Sequence, residues 1–172
     1  MKYVFFCLIG LTLLFSCKVA EVQVDVVKQK EDINCSLEAW HKAAAEANFD
    51  AYFNLMTTDG VFIGTDATEN WQNNQFKAFA KPYFDKGKAW SFTTISRNVY
   101  VYENQKLAWF DELLDTQMEI CRGSGIVEKV GDVWKVKHYV LSIAIPNDNV
   151  SEVTNLKKAS DSILKLKLLK NY

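Results

Sequence analysis

Hydrophobic and polar positions change period once along this chain, and the change divides it. From about Val26, the apolar residues Ile33, Leu37, Trp40, Ala44 and Ala47 recur at three- and four-residue steps, the spacing of one buried stripe on a helix. His41 follows Trp40 on the flank of that stripe. Asn48-Phe49-Asp50 interrupts it, and Asp50 is placed to cap a short second helix, Ala51 to Met56. Thr57 to Gly60 predicts a turn, Val61 to Gly64 a short strand, and Thr65 to Glu69 a polar loop. A third helix is predicted over Asn70 to Phe84, where Trp71, Phe76, Phe79, Tyr83 and Phe84 recur at near-helical spacing, with Gly87 closing it.

Beyond Gly87 the period is two. It predicts strands over Trp90 to Arg97, Asn98 to Glu103, Leu107 to Asp115, Gln117 to Val130 and Val133 to Ile145. Glu103-Asn104-Gln105 and Val130-Gly131-Asp132 supply hairpin turns. Pro146-Asn147 ends the sheet, and Asn149 to Leu169 is a Lys-rich amphipathic helix carrying Val150, Val153, Leu156, Ile163 and Leu166. Helices first and antiparallel strands afterwards is the α+β order. Three helices on one face of a strongly curved sheet would leave a cone with a pocket inside it.

The last strand holds the unusual row. At period two, Trp134, Val136, His138, Val140, Ser142 and Ala144 share a face, which places an imidazole and a hydroxyl among core residues, as on a cavity floor. The same parity puts Asp111 beside Trp109 and Leu113, and Arg122 beside Ile120, Ser124 and Ile126. Asp111, Arg122 and His138 are therefore expected to converge inwards from consecutive strands. Asp111 could be a general base raised by desolvation, or a structural acid paired with Arg122. Arg122 could instead grip a ligand carboxylate. His138 could be an acid, a base or a hydrogen-bond donor, with Ser142 near it, or a satisfied core histidine. His41 could face the cavity or solvent, and Asp66 is a second pocket acid. Trp71 and Trp109 read as pocket wall.

Composition removes several alternatives. A net charge of -1 without a basic cluster argues against nucleic acid as a partner. Aromatics form 13% of the residues, which suits an aromatic-lined core or cavity. Two His without a close His or Cys partner do not make a zinc site. Gly123-Ser124-Gly125 lies inside a strand rather than at a nucleophile elbow, and no Gly-rich phosphate loop is present, so neither a metal nor a cofactor is expected.

The first residues read as an address. Met1-Lys2 precedes an apolar run too short to span a bilayer. The run ends in Leu14-Phe15-Ser16-Cys17, which resembles the lipobox of bacterial lipoprotein signal peptides. That resemblance implies a leader over 1–16 and lipidation of Cys17; the pattern along the chain then places a tether over 17–25, a domain over 26–146 and a C-terminal amphipathic helix over 147–172. The protein would then sit in the bacterial cell envelope, anchored to the membrane by lipid and facing the periplasm or the exterior. Of the remaining thiols, Cys35 and Cys121 are expected to be free and buried.

Several blocks in order carry a wider resemblance: Glu38-Ala39-Trp40-His41, Asp59-Gly60-Val61-Phe62-Ile63-Gly64, Asn70-Trp71, Ala108-Trp109-Phe110-Asp111-Glu112, Arg122-Gly123-Ser124-Gly125 and Trp134-Lys135-Val136-Lys137-His138-Tyr139. They resemble the SnoaL-like branch of the nuclear transport factor 2-like superfamily over roughly residues 30–158. The resemblance implies an α+β cone, a deep pocket and commonly a homodimer formed through the sheet. Relatives include isomerases, cyclases, dehydratases and pure binders, so fold alone leaves the chemistry open. The preferred expectation is a pocket that binds a small organic molecule. The alternatives are a cofactor-free isomerase, cyclase or lyase with Asp111 or His138 as base, or a partner-binding module with a vestigial pocket.

Overall fold

The computed structural model describes residues 26–102 and 106–170. The expected leader, tether and lipidation site at Cys17 lie outside the described residues. Helix α1 (Val26–Ala45) buries Ile33, Leu37, Trp40 and Ala44, the stripe that its spacing predicts. Helix α2 (Phe49–Asn54) begins earlier than expected because Asn48, not Asp50, accepts the Ala51 N–H at 3.1 Å. Helix α3 (Asn73–Asp85) follows, and helix α4 (Val150–Leu169) closes the described chain after a short 3-10 turn over Asn147–Asn149.

Strands β1 (Met56–Ile63), β2 (Asn70–Gln72), β3 (Phe92–Val101), β4 (Leu107–Thr116), β5 (Glu119–Val130) and β6 (Val133–Ile143) form one curved six-stranded sheet, ordered β2-β1-β6-β5-β4-β3. Only β1 and β6 pair in parallel; every other neighbouring pair is antiparallel. The turn expected at Thr57 to Gly60 is instead a wide irregularity within β1, between its pairings of Met56 with Val136 and of Val61 with His138. The start of the expected third helix is also strand: Trp71 pairs with Phe62 before α3 begins. Helices α1 and α3 cover one face of the sheet, giving the α+β layering expected from the order of elements.

Which residues face the helices follows from register. One ladder crosses all six strands on the covered face: Val99, Phe110, Gly125, Tyr139, Phe62 and Trp71. Next to it runs Arg97, Glu112, Gly123 and Leu141. Into this face α1 presses Trp40, whose ring lies 5.0 Å from Tyr52 and 4.9 Å from Tyr139. Such aromatic pairs contribute about 0.5–1.5 kcal/mol each beyond simple burial.

The inward row of β6 departs from the expectation. Trp134 and Val136 are buried, but so are Tyr139 and Leu141, whereas His138 is half-buried and Ser142 exposed. Ile126 pairs with His138 and Val127 with Val136, which leaves Lys137 as an extra residue in β6. One bulged residue reverses the facing of everything after it. The Lys137 ammonium fastens the bulge, at 2.5 Å from Asp59 and 3.1 Å from Glu128. Both described cysteines are free; Cys121 is buried as expected, while Cys35 is exposed.

Candidate functional site

Two features occupy the covered face, an ionic network and a cavity. The network is centred on Glu112, in the middle of β4, the only buried carboxylate among the described residues. Its Oε1 accepts from the Tyr139 hydroxyl at 2.8 Å and lies 3.0 Å from His41 Nε2. Its Oε2 accepts from Arg97 Nε at 2.8 Å and Nη2 at 2.6 Å. Arg97 reaches on to Glu38 at 2.9 Å and Thr94 at 2.9 Å, so the network surfaces along α1. Burial alone would push the Glu112 carboxyl up; the hydrogen bond and electrostatic pull of His41, then those of Arg97, outweigh it and hold the group below its ordinary value. Burial, joined by the Glu112 charge, pushes the Tyr139 phenol well above its ordinary value.

Gly123 makes this arrangement possible. A Cβ there would run into the Tyr139 hydroxyl and come within 2.8 Å of Glu112 Oε1. The bare backbone of β5 is what lets side chains from β4 and β6 meet across it. With both oxygens engaged by donors, Glu112 is a structural anion. A carboxylate held ionised and fully bonded is a weak proton acceptor.

The cavity lies alongside. It has a volume of about 190 Å³ and is walled by Phe62, Trp71, Phe76, Phe79, Trp90 and Phe92, with Met118 and Leu141 completing the apolar lining. Trp71 and Phe79 stack at 5.0 Å. Its polar lining is Thr65, Glu69 and Gln117. Phe79, Trp90 and Gln117 also border a wider outer recess of about 560 Å³, with Tyr83 and Lys88 at its rim. The β4–β5 turn therefore forms one lip of the entrance. That turn is tight: Thr116 Oγ1 donates to the Glu119 carbonyl and accepts from Met118 N–H, both at 2.9 Å, and Glu119 takes a φ of 62°.

The residues singled out from the sequence are dispersed by the fold. Trp71 lines the cavity. His41 is buried, but in the Glu112 network and against Phe92 rather than facing an opening. Asp111, Arg122 and His138, expected to look inwards, stand on the sheet's open face, and so do Trp109 and Ser142. There Asp111 accepts from Asn98 Nδ2 at 3.0 Å and pairs across the strands with Ser124; it does not pair with Arg122, which lies opposite Leu113 and Ser142. The physical reason is parity. Trp109 and Leu113 made the wrong row of β4 look like core, and the bulge at Lys137 turned His138 over.

Asp66 is exposed and bonds within its own loop, accepting from the Thr68 N–H at 2.8 Å and hydroxyl at 2.6 Å. Those bonds hold its carboxyl below the ordinary value. With Ser142 it borders a polar groove of about 530 Å³ between the β1–β6 end of the sheet and Lys157, Ser160, Asp161 and Leu164 of α4. Sequence reasoning passed over Glu112, Arg97, Tyr139 and Glu69. The available signal was the pair Gly123 and Gly125, because glycine in mid-strand marks room taken by neighbours.

Comparison with known proteins fits this geometry. The SnoaL-like domain model matches residues 33–146. No significant relative is found among curated protein sequences. An NTF2-like protein of unknown function from Pseudomonas putida has a TM-score of 0.59 at 14% identity, over 72% of this chain and 92% of its own. A dehydratase candidate of the NTF2-like family from Streptomyces avermitilis has a TM-score of 0.61 at 11% identity, over 70% and 99%. The association domain of C. elegans CaMKII has a TM-score of 0.56 at 20% identity, over 67% and 96%. At such identities these structures speak for the fold alone.

Proposed function

Starting from the fact that the chain belongs to the SnoaL-like family, we propose that it is a binding protein for a small, largely apolar organic molecule held in the aromatic cavity. One observation carries this reading: the cavity is walled by aromatic rings and opens to solvent past the β4–β5 turn, while the buried acid next to it is saturated. Apolar walls with a few convergent polar groups are the usual make-up of a small-molecule site. The alternative, cofactor-free isomerase, cyclase or lyase chemistry, needs a base at the cavity. Of the bases expected from the sequence, Asp111 and His138 stand on the other face of the sheet; Glu112 has no free oxygen, and the carboxylate left at the cavity, Glu69, is tied to its own loop through the Asp66 N–H.

The test is resonance mapping with a library of single-ring aromatic fragments. Binding at the cavity would shift the indole N–H signals of Trp71 and Trp90 and leave that of Trp109 in place, and Phe79→Arg, which fills the cavity, would abolish the shifts. Fragments that shift nothing, or that shift the Phe79→Arg variant equally, rule the reading out.

The same proposal extends to place and assembly. The Leu14-Phe15-Ser16-Cys17 motif supports delivery to the bacterial envelope and a lipid anchor on Cys17. Cys17→Ser should move the protein from the membrane to the soluble envelope fraction; unchanged retention would sink the anchor. On the open face, Tyr100 and Trp109 stack at 5.6 Å beside exposed Ile126, which pairs with Trp109 across the strands, an apolar patch suited to a second copy of this chain. Light scattering should then report a homodimer, and a monomer at all concentrations would contradict it.

A further inference from the structure

We propose that the occupant of the inner cavity is a compact organic cation: a single apolar or aromatic ring bearing an ammonium group that sits against Glu69. This rests on the pocket reading above and adds the charge of the ligand. Among the residues lining the inner cavity, Glu69 is the sole ionisable group; no Lys, Arg or His lines it. Glu69 is half-buried and pairs with no cation among the described residues. A carboxylate drawn partly out of water without a counter-charge is a place for a cation to bind.

Its position is held. Glu69 Oε2 accepts from the Asp66 N–H at 3.3 Å, and Glu69 N–H donates to the Asp66 carbonyl at 3.0 Å, so the loop orients the carboxylate. Gly64 allows it to lie close, since a Cβ at that residue would collide with the carboxylate. Beside it, two residues along the chain, Trp71 begins the aromatic wall. Trp71 and Phe79, stacked at 5.0 Å with 18° between their planes, are half-buried and border the cavity. Ring faces carry negative charge density and attract ammonium groups, Trp most strongly.

The charge rule works in the other direction too. Within the inner cavity a carboxylate or phosphate ligand would meet Glu69 with nothing positive to receive it; Lys157, in the neighbouring groove that Glu69 also borders, is paired with Asp161 at 3.0 Å. A neutral ligand would gain only the burial of its ring. Size narrows the class further: about 190 Å³ holds roughly six water molecules at about 30 Å³ each, enough for one ring and a short side chain. Lys88 on the outer rim is exposed, where salt screens it from the inner site.

Calorimetric titration of the full chain with 2-phenylethylammonium, 2-phenylethanol and 3-phenylpropionate decides the matter. The cation should bind at least tenfold tighter than the alcohol, and the propionate more weakly than either. Glu69→Gln should bring cation and alcohol to within threefold while leaving the alcohol unchanged. Trp71→Leu should lower cation affinity more than alcohol affinity, which covers the case in which Glu69→Gln disturbs its loop. Equal binding of cation and alcohol by the wild type, or a preference that survives in Glu69→Gln, overturns the cation assignment and leaves the pocket standing. Binding of none of the three, with fragments also failing to shift Trp71 and Trp90, overturns both.

Discussion

The two faces of this sheet are built from the same strands and differ in how they treat polarity. On the covered face the fully buried charge is completely bonded: Glu112 has Tyr139, His41 and Arg97, and its neighbours are Phe110 and Leu114, while among the described residues only neutral polar atoms such as Trp40 Nε1 and Trp134 Nε1 are buried without a partner. On the open face polar and apolar residues alternate freely, and Trp109 is 48% exposed beside half-buried Asp111. The difference teaches that a charged residue in an apolar row means opposite things on the two faces. Inside, it must be matched by donors at the moment of folding. Outside, water completes whatever the protein leaves undone.

The strongest way to break the comparison is to unpair the inner acid. Glu112→Leu leaves Arg97 and His41 buried without their partner and should cost about 3–5 kcal/mol in urea unfolding. Asp111→Asn, one residue away on the other face, should stay within about 0.5 kcal/mol of wild type. Comparable losses would mean that the faces do not differ in this way.

Gly123→Ala comes next. Its methyl group meets the Tyr139 hydroxyl and Glu112 Oε1, and overpacking of this kind costs about 1–3 kcal/mol. Tyr139→Phe alone forfeits a hydrogen bond to a charged group, about 1.5–3 kcal/mol. Combined, the two should cost less than their sum, because the phenyl ring offers no hydroxyl to collide with; strict additivity would refute the contact.

Acid sensitivity is a smaller effect with a definite sign. The Glu112 carboxyl lies below its ordinary value of 4.5 when folded, so the folded chain holds that proton less tightly than the unfolded chain does. The stability it contributes is complete above that ordinary value and is lost as pH falls through the lowered one. Stability measured against pH should fall less steeply below about pH 4 in Glu112→Gln than in wild type. The smallest effect on folding is expected from Trp109→Glu, which should turn a dimer into a monomer in light scattering and barely alter the unfolding of the monomer.

Much of the architecture was legible from periodicity. Helix α1 shows its buried stripe in the spacing of Ile33, Leu37, Trp40 and Ala44, and the long strands announce themselves by alternation. Facing was not legible, and the reason is physical. In β5 the inward row is Cys121, Gly123, Gly125 and Val127, poorer in apolar bulk than the outward Ile120, Arg122, Ser124 and Ile126. The glycines make sense only once Phe110, Glu112 and Tyr139 are known to fill the space above them. A bulge adds one residue without any composition signal, so Trp134 and His138 share a parity in the sequence and not in the fold. Trp71, Phe76 and Phe79 hid a strand-to-helix junction because their spacing suits one continuous helix.

The tryptophans have a use that their packing sets up. Trp40 and Trp134 are each 1% exposed, Trp71 and Trp90 border the cavity, and Trp109 lies on the open face. Intrinsic fluorescence is thereby divided into three populations that a water-soluble quencher, a cavity occupant and a denaturant would each address in turn. A single emission spectrum, taken with and without iodide, would follow assembly, occupancy and unfolding without attaching a dye.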